Sequence, residues 1–384
     1  MISLRHIDCF SGVGGIATGF HAAGIHTVLA IEKIKSCIDT YTANHPNIKV
    51  INQDIREVNS KVILEIIDPS IDLITAGMPC ETFSTAGNTS RSFYDNRQTL
   101  FTEAIRIAKI SNARMILFEN VPGFANKKLE KNSKKLVIDL LREQLTKNGY
   151  SNRLEVKLNA KDYGVPQSRE RLFILATKDP NIKLTPPIAN KKIVTVSEAF
   201  LDLELVDTTG LYESEKFKDN TNDFCSLMMN SNYWKLKESN LCTYHRSPKH
   251  RAHTIKRFKM IRTGEGLKSL FDRLPLSEIK KLQSQRILPK KWYIQRNRRL
   301  DSNKTSPTVT SHCLDELLHP VLHRSITIRE AARLQSFPNS YEFVGGPDLC
   351  PHFYEEQDKY EQIGDAVPPL MAFAWAKHIK KLLA

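Results

Sequence analysis

Short apolar runs punctuate the first part of the chain: His6–Phe10, Thr27–Ile31, Ile48–Ile51, Ile71–Ala76, Met115–Phe118 and Leu172–Ala176. Segments of helical period separate them, and such strand–helix alternation predicts a mostly parallel sheet of the α/β class. From Lys178 to about Leu300 the pattern loses this regularity and becomes polar and basic, which predicts a second domain inserted after the sheet. Asp202–Asp223 is acidic and weakly patterned, as a linker would be. Leu370–Ala384 has the spacing of an amphipathic helix and is expected to pack back on the first domain. The predicted division is 1–200 completed by 355–384, with 201–354 forming the smaller, more irregular domain.

Charge sharpens this picture once it is located. Of the 384 residues, those from Cys242 to Lys304 include 18 Lys and Arg against four acidic residues, an excess equal to the net +14 of the whole chain. A concentrated basic region suits a polyanion partner, while a solvated Lys-rich surface explains charge alone equally well. The crowding of His245, Arg246, Lys249, His250, Arg251 and His253, followed by Trp292, Tyr293, Arg296, Arg298 and Arg299, favours nucleic acid. The seven cysteines are scattered, odd in number and without a C-x-x-C pair, so neither a disulfide framework nor a metal cluster is expected. No run of about 18 apolar residues and no signal-peptide core is present, and the expected location is the cytoplasm.

Candidate chemistry begins where the first strand meets Ser11-Gly12-Val13-Gly14-Gly15-Ile16-Ala17. Missing side chains let the backbone turn tightly against a ligand, and Glu32 at the end of the next strand is placed to hold ribose hydroxyls. That much fits a nicotinamide enzyme, an adenosylmethionine enzyme and a plain glycine turn alike. A second candidate is Cys80 in Gly77-Met78-Pro79-Cys80-Glu81-Thr82-Phe83-Ser84. An isolated cysteine is ordinarily a small buried hydrophobe, but this one follows a strand in a polar loop at the ligand-binding edge of such a sheet. Glu119, in Phe118-Glu119-Asn120-Val121, falls at the same edge, and its apolar neighbours argue for partial burial rather than a solvated loop carboxylate. An extended segment would put Gln167, Arg169 and Arg171 on one side. The plain alternative there is a solvated charge run.

In content and order these residues resemble the cytosine carbon-5 DNA methyltransferases, of bacterial restriction–modification type. The resemblance extends to Asp8-x-Phe10-Ser11-Gly12-x-Gly14-Gly15, Asp95–Leu100, Arg329–Pro338 and Gln362-x-Gly364-Asp365-Ala366-Val367-Pro368-Pro369, nearly the whole chain. It implies a Rossmann-like methyltransferase domain that uses S-adenosylmethionine, and a smaller target-recognition domain that includes the basic region. Cys80, Glu119, Arg169 and Arg171 are implied as catalytic, with the Cys80 thiolate adding to carbon 6 of a cytosine flipped out of the duplex. Phe10, Gly12, Gly14, Glu32, Asp54, Pro79, Leu100 and Asp365 are implied as cofactor contacts. Expected DNA contacts are Ser84, Gln167, Arg246, Lys249, Arg251, Arg257 and Arg298. Two positions depart from the family pattern, Lys33 where a bulky apolar residue is usual and Asp365 in place of Asn. The expected partners are double-stranded DNA and an independently acting restriction endonuclease, and the expected state is a monomer. The transfer-RNA branch of the same family shares the catalytic residues, but its Cys-Phe-Thr signature is absent at Cys242-Thr243. A silent DNA-binding protein is the remaining alternative.

Overall fold

The computed structural model describes residues 4–67, 70–78, 99–129, 133–190, 192–291, 294–348 and 356–384. Seven strands form one sheet: β1 (Arg5–Cys9), β2 (His26–Glu32), β3 (Lys49–Asn52), β4 (Leu73–Gly77), β5 (Met115–Asn120), β6 (Asn152–Asn159) and β7 (Glu170–Thr177). Their order is β3-β2-β1-β4-β5-β7-β6, parallel throughout except that β7 runs antiparallel to both its neighbours. The strand order reverses between β1 and β4, which opens a crevice at their carboxyl ends.

Period-two burial fixes the two faces of the sheet. Ile116 and Phe118 of β5 join a core with α3 (Ser60–Ile66), α4 (Phe101–Ile110) and α5 (Val137–Lys147). Met115 and Leu117 join the opposite core, to which α1 (Gly15–Ala22) contributes Phe20, α2 (Lys35–Asn44) Cys37, and the C-terminal helix Pro369–Leu383 a row that includes Trp375 and Ile379. Strand β6 has no counterpart among the predicted strands. It is an edge strand in which Leu154, Val156 and Leu158 turn to the core while Arg153, Glu155 and Lys157 alternate with them, so it carries no continuous apolar run.

The residues of the expected domain 201–354 are shared between two hydrophobic clusters. Phe224, Met228, Trp234 and the stretch from Ile326 to Phe343 share one core with the sheet. A separate small core contains Phe258, Ile261, Leu267, Leu270, Leu288 and Leu318, so the independent module spans roughly the basic region and the strand pair Arg298–Arg299 and Leu317–Leu318. Buried arginines at 324, 329 and 333 give segments of the shared core a polar sequence.

The C-terminal helix meets α1 at Gly19, where a Cβ would lie 2.3 Å from the Pro369 carbonyl oxygen and 2.6 Å from the Phe373 nitrogen. Gly19→Ala is therefore expected to lower stability by about 1–3 kcal/mol through overpacking, although alanine is the better helix former. Urea unfolding checks this, and an unchanged or higher midpoint would remove Gly19 as the contact that sets the approach of the two helices.

Candidate active site

Strand β1 runs into a turn in which Phe10 (φ 56°), Gly12 (φ 51°) and Gly14 (φ 89°) all take left-handed backbone. The two glycines do different work. A Cβ on Gly14 would lie 2.9 Å from the Tyr41 ring and 3.0 Å from the Tyr341 hydroxyl, whereas one on Gly12 would meet nothing within 4 Å among the described residues. Among the described residues nothing crowds Gly12. The Glu32 carboxylate, at the end of β2, accepts the Gly12 N–H at 2.9 Å with one oxygen and the Lys33 and Ile34 N–H groups at 2.7 and 2.9 Å with the other. Three backbone donors fix its direction and leave lone pairs for ribose hydroxyls, so these residues fit the expected cofactor. The Lys33 side chain is exposed.

The remaining expected cofactor residues vary in setting. Phe10 is half-buried and Leu100 buried at the start of α4. Asp54 follows β3, and the Arg56 guanidinium, 2.6 Å away, holds its carboxyl down at about 2. Asp365 is exposed and accepts the Gln357 amide at 3.0 Å. Pro79, Cys80 and Ser84 lie outside the described residues.

Beneath the glycine turn, Asp8 is fully buried. Its Oδ1 accepts the Thr75 hydroxyl at 2.7 Å, His6 Nε2 lies 2.8 Å from that hydroxyl, and His6 Nδ1 lies 2.9 Å from the Thr27 hydroxyl. Since the single Thr75 proton goes to Asp8, His6 donates through Nε2 and accepts through Nδ1. Asp8 Oδ2 has no hydrogen-bond partner among the described residues. Burial pushes the Asp8 carboxyl up to about 7, with the Thr75 hydrogen bond opposing and the Glu32 charge adding to the rise.

The second half of the site stands on β5 and β7. Their antiparallel register sets Glu119 opposite Phe173, so Arg171 is the diagonal neighbour on the same face. Arg171 Nε lies 3.0 Å from Glu119 Oε1, both side chains being about one-tenth exposed (10% and 11%). Glu119 Oε2 also lies 3.8 Å from the place a Cβ on Gly77 would take, the last residue of β4 and three before Cys80. A carboxylate–guanidinium pair therefore stands beside the strand that leads to the cysteine.

The other two residues of the Gln167–Arg171 segment named in the sequence lie inside the protein. Gln167 is fully buried: its amide nitrogen donates to the Leu334 carbonyl at 2.9 Å and to Gln335 Oε1, and its oxygen accepts the Val309 N–H at 2.9 Å. In this arrangement its side chain joins distant segments of the chain. Arg169 is also buried and donates to the carbonyls of Val309 (2.7 Å), Gly364 (2.9 Å) and Ala366 (3.2 Å). Gln335 completes the joint by donating to Ile363 and Ala366 at 2.8 and 2.9 Å. Its place in Ala331-Ala332-Arg333-Leu334-Gln335 is visible in the sequence, its role is not.

In the basic module, Arg246 pairs with Glu213 at 2.7 Å and Lys249 lies over the Tyr212 ring. Arg251 and Arg298 are exposed. Arg257 is half-exposed, with one guanidinium nitrogen 3.4 Å from the Ile287 carbonyl. Arg299, missed by sequence reasoning as a structural residue, is buried and donates to the carbonyls of Phe258, Ile261, His319 and Leu322 at 2.7 to 2.9 Å. Trp292 and Tyr293 lie outside the described residues. Among the described residues no group of His, Cys, Asp and Glu could hold a metal ion, and no helix is long and apolar enough to cross a membrane.

The family model described as C-5 cytosine-specific DNA methylase matches residues 4–381. The chain belongs to this family. It is 33% identical over 380 residues to the type II methyltransferase M.DdeI of Desulfomicrobium norvegicum, covering 97% of this chain and 88% of that one. It is 30% identical over 383 residues to the type II methyltransferase M1.HphI of Haemophilus parahaemolyticus, covering 99% and 88%. Among solved structures, a putative DNA modification methyltransferase encoded within an E. coli prophage superimposes with a TM-score of 0.73 at 25% identity, covering 99% of both chains. As a C-5 cytosine methylase the chain is a DNA cytosine-5 methyltransferase that takes its methyl group from S-adenosylmethionine.

The buried Asp8 carries a stability signature. An acid whose folded pKa is raised from about 3.9 to the region of 7 contributes stability at low pH that is lost as pH rises through that interval. Asp8→Asn removes this loss, so its melting temperature relative to wild type is expected to rise from pH 5 to pH 8. A difference that stays flat across that range would contradict the shifted carboxyl.

Proposed function

We propose that the chain methylates cytosine within a short specific sequence of duplex DNA, as the modification half of a type II restriction–modification system, with Cys80 as nucleophile. The observation that supports this reading best is the Glu119–Arg171 pair at 3.0 Å, at the carboxyl edge of the sheet and beside the strand that leads to Cys80. M.DdeI and M1.HphI, similar over nearly the whole chain, are named as type II methyltransferases.

The chemistry divides among the chain's residues. Carbon 5 of cytosine is too weak a nucleophile to take a methyl group unaided. Attack of the Cys80 thiolate on carbon 6 forms a C–S bond and shifts the ring electrons toward carbon 5. Glu119, oriented by Arg171, is placed to bond ring nitrogen 3; in its carboxylic acid form it gives its proton to nitrogen 3 as the thiolate adds and takes it back when the thiolate leaves, so the charge displaced by the attack is neutralised where it appears. Arg171 also favours ionisation of a neighbouring thiol. S-adenosylmethionine supplies the electrophilic methyl group, and Gly12 and Glu32 are the residues best placed to hold it. Carbon 5 takes the methyl, a base removes its proton, and the C–S bond breaks to release Cys80.

The target must leave the helical stack to reach this edge. The module around 252–323 carries Lys256, Lys259, Arg262 and Arg298 at its surface, and none of them is in an ion pair among the described residues. These side chains suit phosphate contacts that hold the opened duplex. The protein acts as a monomer in this reading, and its endonuclease partner acts separately on the same DNA sequence.

Cys80→Ser is the direct test of the mechanism. Methyl transfer is expected to fall by about a thousandfold or more, equivalent to roughly 4 kcal/mol of barrier, with DNA affinity retained. Full activity in this variant would refute covalent catalysis through Cys80.

A further inference from the structure

The glycine turn is held from a direction that neither its own sequence nor the neighbouring strands supply. The Tyr341 hydroxyl donates to the Val13 carbonyl, from a residue 328 positions away and fully buried. The other end of the same peptide plane is also bonded, since the Gly14 N–H donates to the Ser11 carbonyl at 3.0 Å. A peptide fixed at both its C=O and its N–H cannot rotate without breaking two hydrogen bonds. This matters at Gly12-Val13-Gly14, where two left-handed glycines would otherwise give the chain several turns of similar energy.

Tyr341 is itself firmly placed. Its ring lies 4.8 Å from that of Phe337 and 5.3 Å from that of Phe343. Arg329 donates to its carbonyl at 3.3 Å, and Glu342 exchanges hydrogen bonds of 2.9 and 2.7 Å with the Asn44 side chain on α2. Tyr41 touches the same glycine from α2, yet its hydroxyl has no hydrogen-bond partner among the described residues. Two buried tyrosines thus flank Gly14, and only Tyr341 is bonded to the turn.

We propose that Tyr341 is a positioning residue for the cofactor, holding the Val13–Gly14 peptide so that the glycine turn and the Glu32 carboxylate bonded to Gly12 are already in their binding arrangement. This rests on the reading that the turn and Glu32 receive S-adenosylmethionine. The effect is one of preorganisation: without the hydroxyl the turn must be ordered when the cofactor binds, and that cost appears in affinity. The same segment carries Gln335, so the frame that anchors the arginine segment also shapes the cofactor loop.

The test pairs Tyr341→Phe with Tyr41→Phe, each of which removes one buried hydroxyl and keeps the ring. Calorimetric titration of S-adenosylmethionine is expected to give a Kd raised about tenfold, or about 1.4 kcal/mol, for Tyr341→Phe. Its DNA affinity and its kcat at saturating cofactor should stay at wild-type values. Tyr41→Phe should bind cofactor as wild type does. In the cofactor-free proteins, hydrogen exchange at the Gly14 amide should quicken in Tyr341→Phe alone. Equal cofactor affinity in wild type and Tyr341→Phe would overturn the proposal. So would an equal loss in Tyr41→Phe, or a parallel loss of DNA and cofactor affinity, which would mark general loosening. If the wild-type protein binds no S-adenosylmethionine, the cofactor reading itself fails and takes the positioning role with it, while the exchange rates still show whether Tyr341 fixes the turn.

Discussion

The arrangement of the site depends on a buried polar joint between Gln167, Arg169 and Gln335. These side chains tie the approach to β7 to Val309, to the end of the helix Ile328–Leu334 and to the carbonyls of residues 363–366. Its donors bond the carbonyls of Val309, Leu334, Ile363, Gly364 and Ala366, and a buried carbonyl left without a partner costs about 1–3 kcal/mol. The joint therefore specifies one arrangement of segments that lie far apart in sequence. Its consequence at the site is direct, because Arg171 follows Arg169 by two residues on an extended chain and so points at Glu119.

Around this joint the protein uses charge where a core ordinarily uses hydrocarbon. Arg324 meets Glu330 through two bonds of 2.8 and 2.7 Å, and Arg333 meets Asp202 at 2.7 and 3.0 Å, all four residues being almost wholly buried. Replacing one partner of such a pair leaves an unpaired buried charge, whereas the intact pairs contribute little net stability and much geometric definition. The helix they frame starts with a reciprocal cap between Thr327 and Glu330, so a single glutamate both begins the helix and holds Arg324. The segment after that helix reaches Val13 through Tyr341, and in this way the frame of the catalytic edge and that of the cofactor turn become one structure.

Much of this was legible in the sequence, and the misses have physical reasons. The six apolar runs are strands β1 to β5 and β7, since two-sided burial in a covered sheet demands continuous hydrophobic residues. Gly12, Glu32 and Glu119 stand at carboxyl ends of strands, where chemistry in this fold is expected. β6 escaped because an edge strand needs only alternating apolar residues. The burial of Gln167 was not legible because polarity reports composition, and a glutamine that satisfies backbone groups looks in sequence like one that faces solvent. Tyr341 and Gln335 act through contacts across hundreds of residues, which no local pattern encodes. The burial of Arg329 and Arg333 is hidden in the same way, since their charge reads as surface in the sequence.

The central claim is methyl transfer to carbon 5 of cytosine in DNA. The most direct measurement is to incubate the protein with methyl-labelled S-adenosylmethionine and, separately, unmethylated genomic DNA or bulk transfer RNA, and to identify the labelled base by mass spectrometry. The account predicts 5-methylcytosine in the DNA alone. Label confined to transfer RNA, or label in neither nucleic acid, would contradict it.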